Sequence, residues 1–183
     1  MDAVSKALKG SNDLDYVVRG GRSYLSKIPS QQLQVLSAVL PEYFQTGDWN
    51  ISSAHAPDVV ALIAAAFKKA KKDLQIVDTS TPAMRRTSLV SEGTEVASVI
   101  DIAQSKFGTE DAACVGAHVV KDGIVYSSLC DCLSQLKRAL ASDTFAKHEK
   151  TAARLHALAN LYKAGTIKAP ASKRLTQIID GLA

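Results

Sequence analysis

Cysteine and histidine side chains are the first groups in this sequence that could do chemistry, because their sulfur and nitrogen atoms bind transition metals. Cys114 and His118 are four residues apart, a spacing that places two side chains on one face of a helix. Cys130 and Cys132 follow shortly after, so the number of ligands suits zinc. If residues 124–141 are helical, however, Cys130 and Cys132 point about 200° apart. We therefore expect small buried thiols, no metal site and no cofactor.

A serine preceded by two arginines is the second candidate for chemistry. In the stretch RRTSL, Arg85 and Arg86 stand shortly before Ser88, and a leucine follows it, a pattern similar to the substrates of basophilic kinases. A phosphate on Ser88 would add about −1.5 to −2 charge beside the two arginines. Residues 78–93 are rich in Ser, Thr, Pro and Gly, which indicates an exposed linker. Ser88 is therefore a predicted phosphorylation site, and an unmodified tether or an arginine contact is the alternative.

Sequence signatures of catalysis are missing. His55, His148 and His156 have no partner at a telling spacing, and the RGGR stretch at 19–22 is too short to identify a phosphate-binding loop. A nucleophile elbow and paired carboxylates are also lacking. Catalytic residues can converge in space from distant parts of a chain, but nothing in this sequence indicates that they do. We therefore expect a protein that is not an enzyme.

Positive charge is concentrated in two parts of the chain. The net charge is only +4, but residues 143–174 hold most of the excess, and a lysine cluster lies within 68–72. Ridges of this type attract phosphate backbones through counterion release, without base-specific contacts. The alternative is a solvated helix face whose lysines complement the helix dipole. The predicted nucleic-acid-binding residues are Lys147, Lys150, Arg154, Lys163, Lys168, Lys173, Arg174, Lys68, Lys69, Lys71 and Lys72.

The elements that must position these residues are predicted to be helices. Apolar residues recur at three- and four-residue spacing, and Gly108, Gly123 and Gly165 stand where helices should end. Ser30, Asp143 and Ser172 are predicted N-caps. The predicted helices cover 14–28, 31–40, 57–74, 94–107, 109 or 110 to 121, 124–141, 144–164 and 173–182. The sequence thus predicts an all-α multi-helix bundle, with a smaller N-terminal helical lobe (1–77), an exposed linker (78–93) and a C-terminal five-helix module (94–183).

Composition argues against a membrane span and a disulfide framework. The longest apolar stretch, 59–67, is far short of the roughly 20 residues that a spanning helix needs, and the N-terminal residues lack the apolar centre of a signal peptide. The 3 cysteines are an odd number, as expected where thiols stay reduced. We expect an intracellular protein, whether cytoplasmic, nuclear or virion-associated.

Two classes of function fit these observations. The first is a non-enzymatic, nucleic-acid-associated structural or regulatory protein of nucleocapsid, matrix or transcription-accessory type, which oligomerises and holds RNA or DNA through non-specific phosphate contacts. The second is a helical protein-protein interaction adaptor that is regulated by linker phosphorylation. In the adaptor, Tyr43, Phe44 and Trp49 would dock a partner, although such aromatics more often cover a core. Salt-dependent association with nucleic acid would favour the first class.

Overall fold

Seven strands form one mixed sheet at the centre of the molecule, a computed structural model that describes residues 2–91, 99–104, 114, 118–142 and 147–182. The strands are β1 (Tyr16–Arg19), β2 (Trp49–Ser53), β3 (Gln75–Asp78), β4 (Arg86–Val90), β5 (Val99–Gln104), β6 (Val119–Lys121) and β7 (Ile124–Tyr126). Their order across the sheet is β3-β4-β5-β2-β1-β7-β6. The β2–β5 and β1–β7 pairs are parallel, and the other pairs are antiparallel.

Helices pack beside and against this sheet. They are α1 (Ala3–Leu8), α2 (Gly20–Ser26), α3 (Ser30–Val39), α4 (Pro41–Phe44), α5 (Ala56–Lys69), α6 (Leu129–Ala141), α7 (His148–Lys163) and α8 (Lys173–Asp180). Helices α1 and α5 cover one face of the sheet, where Leu8, Val59 and Ile63 are fully buried against strand residues such as Ile51. None of the described helices has the length and hydrophobicity that crossing a membrane requires.

A second apolar core lies among α6, α7 and α8. Each of these helices contributes a leucine that is at most 1% exposed, namely Leu133, Leu158 and Leu175. Ile28 and Phe44, from the N-terminal part of the chain, are buried in the same core. The helical module is therefore built from both ends of the sequence.

A buried ion pair joins the sheet to this helical module. The Arg19 guanidinium, at the end of β1, lies 3.2 Å from the Asp131 carboxylate on α6, and the two side chains are 10% and 1% exposed. Asp131 also accepts a hydrogen bond from Gln135, and its backbone N–H donates to Ser128, the N-cap of α6. The Tyr24 hydroxyl, on α2, donates to Gln135 at 3.2 Å. One charged centre thus links β1, α2 and α6.

The prediction of an all-α helical bundle is wrong, and the strands that it missed have features that hide them in a sequence. They are short, from three residues in β6 to six in β5. Strand β1 is buried at all four positions, so it lacks the alternation of polar and apolar residues by which a half-exposed strand is recognised. Strands β1, β5, β6 and β7 lie in the ranges 14–28, 94–107, 110–121 and 124–141, where helices were predicted.

Most of the segment 78–93, predicted to be an exposed linker, is described by the structure (78–91), and it contributes residues to the sheet. Asp78 ends β3, and β4 pairs with both β3 and β5. Ser88 and Leu89 are buried within β4. The segments on either side of this range also share the sheet, since β7 lies beside β1 and β5 beside β2.

Several predicted helices are confirmed where cap residues gave clear signals. Helix α5 has Pro57 in its first turn, and the Ser172 side chain caps α8 by accepting a hydrogen bond from the Leu175 N–H at 3.0 Å. Helix α3 is also present, but Ser30 is its first residue and not its cap, since Pro29 is at the N-cap position and no side chain caps the helix. Gly165, just after α7, has φ +72°, a conformation that glycine adopts without strain. The predicted cap Asp143 lies outside the described residues.

Removing the Asp131 carboxylate should destabilise the fold strongly. Asp131→Ala leaves the Arg19 charge buried without its partner, which costs about 3 kcal/mol or more of unfolding free energy. Urea denaturation measures this loss. Asp180→Ala, an exposed position at the end of α8, is the control and should change stability by no more than about 0.5 kcal/mol. Equal stability of the two variants would show that the ion pair does not hold the module to the sheet.

Candidate functional site

A row of mainly polar side chains crosses four neighbouring strands on the sheet face opposite α5. The backbone register pairs Arg19 of β1 with Asn50 of β2, Asn50 with Asp101 of β5, and Asp101 with Ser88 of β4. Successive side chains of a strand point to opposite faces of its sheet. Ile51, next to Asn50, accordingly belongs to the core under α5. The strands thus hold an apolar core on one side and gather polar groups on the other.

A cleft of about 310 Å³ opens over this row. Its lining includes Arg19, Gly20, Asn50, Arg86, Asp101 and Gln135. Gly20 has φ +62°, and a Cβ atom there would lie 2.8 Å from Asn50 Nδ2. Glycine therefore allows the turn between β1 and α2 to approach the Asn50 side chain closely.

Asp101 is the acidic group of this cleft. The Ser88 hydroxyl donates a hydrogen bond to Oδ1 of Asp101, and Thr79 Oγ1 lies 2.9 Å from Ser88 Oγ. The serine therefore orients the carboxylate through one of its two oxygens. The other oxygen is chemically able to accept a hydrogen bond or bind a cation.

A second acidic residue directly precedes β2. Oδ1 of Asp48 accepts a hydrogen bond from the N–H of Val99, the first residue of β5, at 3.5 Å. The Arg22 Nε donates to the Asp48 carbonyl oxygen at 3.0 Å, and the Arg22 guanidinium lies 4.0 Å from the centroid of the Trp49 ring. This stacking and hydrogen bonding fix the chain where it enters β2.

A larger cavity of about 820 Å³ lies near the N-terminal end of α5. Several of its polar groups, on the segment joining β3 to β4, bond to one another: Asp78 accepts from the Ser80 N–H at 2.9 Å, and the Ser80 hydroxyl donates to the Arg86 carbonyl at 3.3 Å. Hydrogen bonds from Ser80 lower the pKa of Asp78. Because these groups already satisfy each other, we take the cleft over Asp101 as the candidate site.

The donor set of the cleft suits one hard cation better than two. Asp101 and the Asn50 amide offer oxygen atoms in the cleft, which Mg²⁺ prefers, and Asp48 lies outside the cleft lining. Among the described residues, no group of three or more His, Cys, Asp or Glu could hold a metal ion. The residue between the two aspartates, Asn50, is neutral, so the negative charge that would bind a pair of divalent ions is limited.

The predicted basic residues of α7 differ in their environments. Lys147 is exposed and Lys150 is partly buried. Arg154 is only 7% exposed, and it donates to the carbonyl oxygens of Tyr43 at 2.6 Å and Gln45 at 3.1 Å. Burial lowers the pKa of Arg154. Arg154 thus ties α7 to the segment before β2, while the two lysines face outward.

The other predicted basic residues are dispersed. Lys163 lies at the far end of α7, about 24 Å from its start at 1.5 Å per residue, and Lys168 and Lys173 are exposed beyond it, with Arg174 partly buried. The second cluster lies at the C-terminal end of α5, the helix on the opposite face of the sheet from the cleft. Its exposed members are Lys68, Lys69, Lys71 and Lys72.

The kinase-like stretch is part of the cleft wall. Ser88 is 7% exposed in β4, and Arg86 lines the cleft. Phosphorylation of Ser88 stays a prediction, and it requires the hydroxyl to leave its contact with Asp101. Arg85 lines the larger cavity instead.

Two of the three thiols are joined, so the expectation of reduced cysteines is wrong for this pair. Cys114 and Cys130 form a disulfide. Cys132 is free and buried, with its Sγ 3.3 Å from the Ser23 hydroxyl. Burial raises the pKa of Cys132 and lowers that of His118. Because the Cys114 sulfur is bonded to Cys130, Cys114 and His118 do not form a shared metal site.

Sequence analysis missed the residues that form the cleft, although a weak signal was present. Polar and apolar residues alternate in WNIS (49–52) and in IDIA (100–103), the pattern of a strand with one polar face. The Gly20-Gly21 pair precedes the first of these by about thirty residues along the chain, and only the fold brings them together.

Comparisons with known proteins find a shared fold. No protein-family profile matches this chain, and no curated protein matches it. Among solved structures, the polyadenylate synthase of Megavirus is similar, with a TM-score of 0.52 and 11% sequence identity. The match covers 96% of this chain and 38% of the synthase, so this chain spans well under half of that protein's length.

The shared fold overturns three expectations from the sequence. An α/β domain with a mixed sheet is not a helical nucleocapsid-type or matrix-type protein, nor is it a helical adaptor. The expectation that the chain is not an enzyme is contradicted because an enzyme has the same fold. These expectations failed because the cleft residues come from positions up to about a hundred residues apart in the sequence. The fold brings them together, and no short sequence motif contains them.

Thiol labelling should distinguish the disulfide from the free cysteine. In the native protein, iodoacetamide should react very slowly at pH 8, because Cys132 is buried with a raised pKa and the other two sulfurs are bonded. In urea without reductant, mass spectrometry should find one label per chain, on Cys132. In urea with reductant, three labels should appear. Three labels in urea without reductant would contradict the disulfide.

Proposed function

We propose that this chain binds a nucleoside triphosphate in the cleft over Asp101 and takes part in nucleotidyl transfer to an RNA end. The observation that carries this proposal is the row Arg19, Asn50, Asp101 and Ser88. It places a carboxylate and hydrogen-bonding groups from four strands in one cleft, within a fold also found in a polyadenylate synthase.

The positive and amide groups of the cleft suit phosphate oxygens. Arg86 lines the cleft and carries a planar guanidinium that can donate two parallel hydrogen bonds to a phosphate. Asn50 supplies amide donors, and Gly20 allows a close approach of backbone. Arg19 is engaged with Asp131, so its role is to fix the cleft wall.

A carboxylate facing a triphosphate requires a cation, because like charges at short range repel. Asp101 and the Asn50 amide oxygen would hold one Mg²⁺ together with phosphate oxygens. When bound, such an ion neutralises charge on the phosphates. The remaining task of the protein is to position the triphosphate and the RNA end, so that the 3′ oxygen bonds to the α-phosphorus and pyrophosphate leaves.

RNA is the proposed acceptor of the transferred nucleotide. The similar solved structure is titled a polyadenylate synthase, and a polyadenylate strand is RNA. The match covers only 38% of that protein, so its whole reaction is not assigned to this chain. The proposal for this chain is therefore the nucleotide-binding and transfer site itself.

Nucleotide binding tests the proposal directly. Calorimetric titration with ATP should show that Mg²⁺ tightens binding to the wild-type chain. In Asp101→Ala the gain in ATP affinity from Mg²⁺ should be about tenfold smaller, which corresponds to about 1.4 kcal/mol of binding free energy. Asp73→Ala makes the same chemical change at an exposed position near the end of α5, away from the cleft, and should behave like wild type. Thermal unfolding should show that both variants are folded. An unchanged effect of Mg²⁺ in Asp101→Ala would contradict the site.

Incorporation of labelled ATP into a short RNA tests the transfer step. The wild-type chain and Asp73→Ala should lengthen the RNA, and Asp101→Ala should not. The other three nucleoside triphosphates, tested in parallel, would show which base the cleft accepts. Lengthening by Asp101→Ala at the wild-type rate would place the transfer elsewhere.

Asn50 should limit how tightly the cleft holds a divalent cation. Asn50→Asp adds a carboxylate directly opposite Asp101 on the neighbouring strand, and cation affinity rises with the charge of the ligands. Mn²⁺ binding, followed by electron paramagnetic resonance of the free ion, should tighten about tenfold in this variant. Asn50→Ser, which shortens the side chain without adding charge, should not bind Mn²⁺ more tightly than wild type. Equal Mn²⁺ affinity of Asn50→Asp and wild type would show that Asn50 does not face the cation.

A further inference from the structure

A small basic patch, formed by Lys147 and Lys150 with Arg154 behind them, lies beside the entrance to β2. The three residues are three to four positions apart on or next to α7, so they form one stripe. Arg154 is buried against the carbonyl oxygens of Tyr43 and Gln45. The stripe therefore sits directly on the segment that leads into the cleft strand β2.

Two observations relate this patch to the cleft. A Cβ atom on Gly21 would lie 3.2 Å from the Arg154 guanidinium, and Gly21 is the neighbour of the cleft residue Gly20. Lys150, one turn before Arg154 on α7, is also within electrostatic range of Asp48, the residue before β2. A strand that leaves the cleft towards the segment before β2 would therefore run towards Lys150.

The charges of the patch repel one another. Burial lowers the pKa of Lys150, and the neighbouring Arg154 and Lys147 lower it further, against the opposing effect of Asp48 and Glu42. Glu149, which lies between the two lysines in sequence, accepts a hydrogen bond from the Tyr43 hydroxyl at 2.7 Å. A phosphate between Lys147 and Lys150 would relieve their mutual repulsion.

The other lysine cluster has a different position. Lys68 and Lys69 end α5 on the opposite face of the sheet, and Lys71 and Lys72 follow just after the helix. Basic residues in the last turn of a helix also stabilise it through the helix dipole, which accounts for Lys68 and Lys69 without a ligand. A short RNA whose end occupies the cleft cannot contact both clusters.

We propose that Lys147 and Lys150 hold the phosphate backbone of the RNA strand whose 3′ end enters the cleft. This inference rests on the proposed function, because the cleft defines where the RNA ends. The contact is to phosphates, so it is independent of base sequence. It assigns different roles to the two basic clusters that the sequence alone treats alike.

A short RNA provides the test. The affinity of a fluorescently labelled RNA of about six nucleotides, within the range of single-strand binding sites, would be measured by anisotropy at several salt concentrations. Lys147→Glu/Lys150→Glu should weaken binding at least tenfold. It should also reduce the slope of log affinity against log salt by about 1.4, since each lost phosphate contact contributes about 0.7 for a single strand.

The matched control reverses two charges on the other face. Lys68→Glu/Lys69→Glu changes net charge by the same amount and should keep wild-type affinity for the short RNA to within about twofold. A larger loss in this control than in the Lys147→Glu/Lys150→Glu variant would overturn the inference. Equal losses in both would also overturn it, because they would show only a general charge effect.

Two further measurements separate this inference from the proposed function and from misfolding. Titration with ATP and Mg²⁺ should give the same affinity in the Lys147→Glu/Lys150→Glu variant as in wild type. If the wild-type chain does not bind the RNA, the inference is overturned. If the same chain still binds ATP, nucleotide binding in the cleft remains supported. If thermal unfolding shows that the Lys147→Glu/Lys150→Glu variant is not folded, Lys147→Gln/Lys150→Gln replaces it, with the same expected reduction of the salt slope.

A DNA strand of the same sequence tests whether the contact is to phosphate alone. The variant should lose affinity for this DNA in parallel with its loss of affinity for RNA, and a loss confined to RNA would contradict recognition of phosphate alone.

Discussion

The ion pair between Arg19 and Asp131 is the interaction on which the rest of the structure depends. It lies where β1, α2 and α6 meet, and its charges are almost completely removed from water. A buried pair of this kind gains little over an apolar contact of the same size, but it is very unfavourable when one partner is missing. The pair therefore disfavours any arrangement of sheet and helices in which one of the two charges is buried alone. The cleft is a product of the arrangement in which both charges are matched, because Arg19 and Gln135 form part of its wall.

The sheet uses the two faces of the same strands for opposite purposes. Strand β5 turns Ile100 and Ile102 towards the core under α5, while Asp101 faces the cleft. A shift of one residue in its register would bury the carboxylate and expose two isoleucines. The apolar core therefore determines the position of the polar row, and the cleft residues need no strong interaction among themselves to stay in line.

The sequence predicted the helices whose apolar spacing and caps were both clear. Pro57 and the apolar stripe of α5 are one example, and Ser172 before α8 is another. It could not predict the sheet, because β1 is buried on both sides and most strands are too short for alternation to be distinguished from a helical pattern. The residues of the candidate site were likewise predicted only where a local pattern in the sequence marked them. The lysines of the basic patch were visible in the sequence, but Asp101 and Asn50 acquire meaning only when β2 and β5 are paired.

The disulfide between Cys114 and Cys130 makes the attachment of α6 sensitive to the redox state of the surroundings. Cys130 immediately precedes Asp131, and the bond closes a loop with a sequence separation of 16. Closing a loop of this length restricts the unfolded chain and is worth about 3 kcal/mol. An oxidising solution thus favours the folded state in which Asp131 meets Arg19, whereas a reducing solution leaves the ion pair to hold α6 without this restriction. The stability of the cleft wall therefore depends on whether the Cys114–Cys130 bond, which lies outside the cleft, is oxidised or reduced.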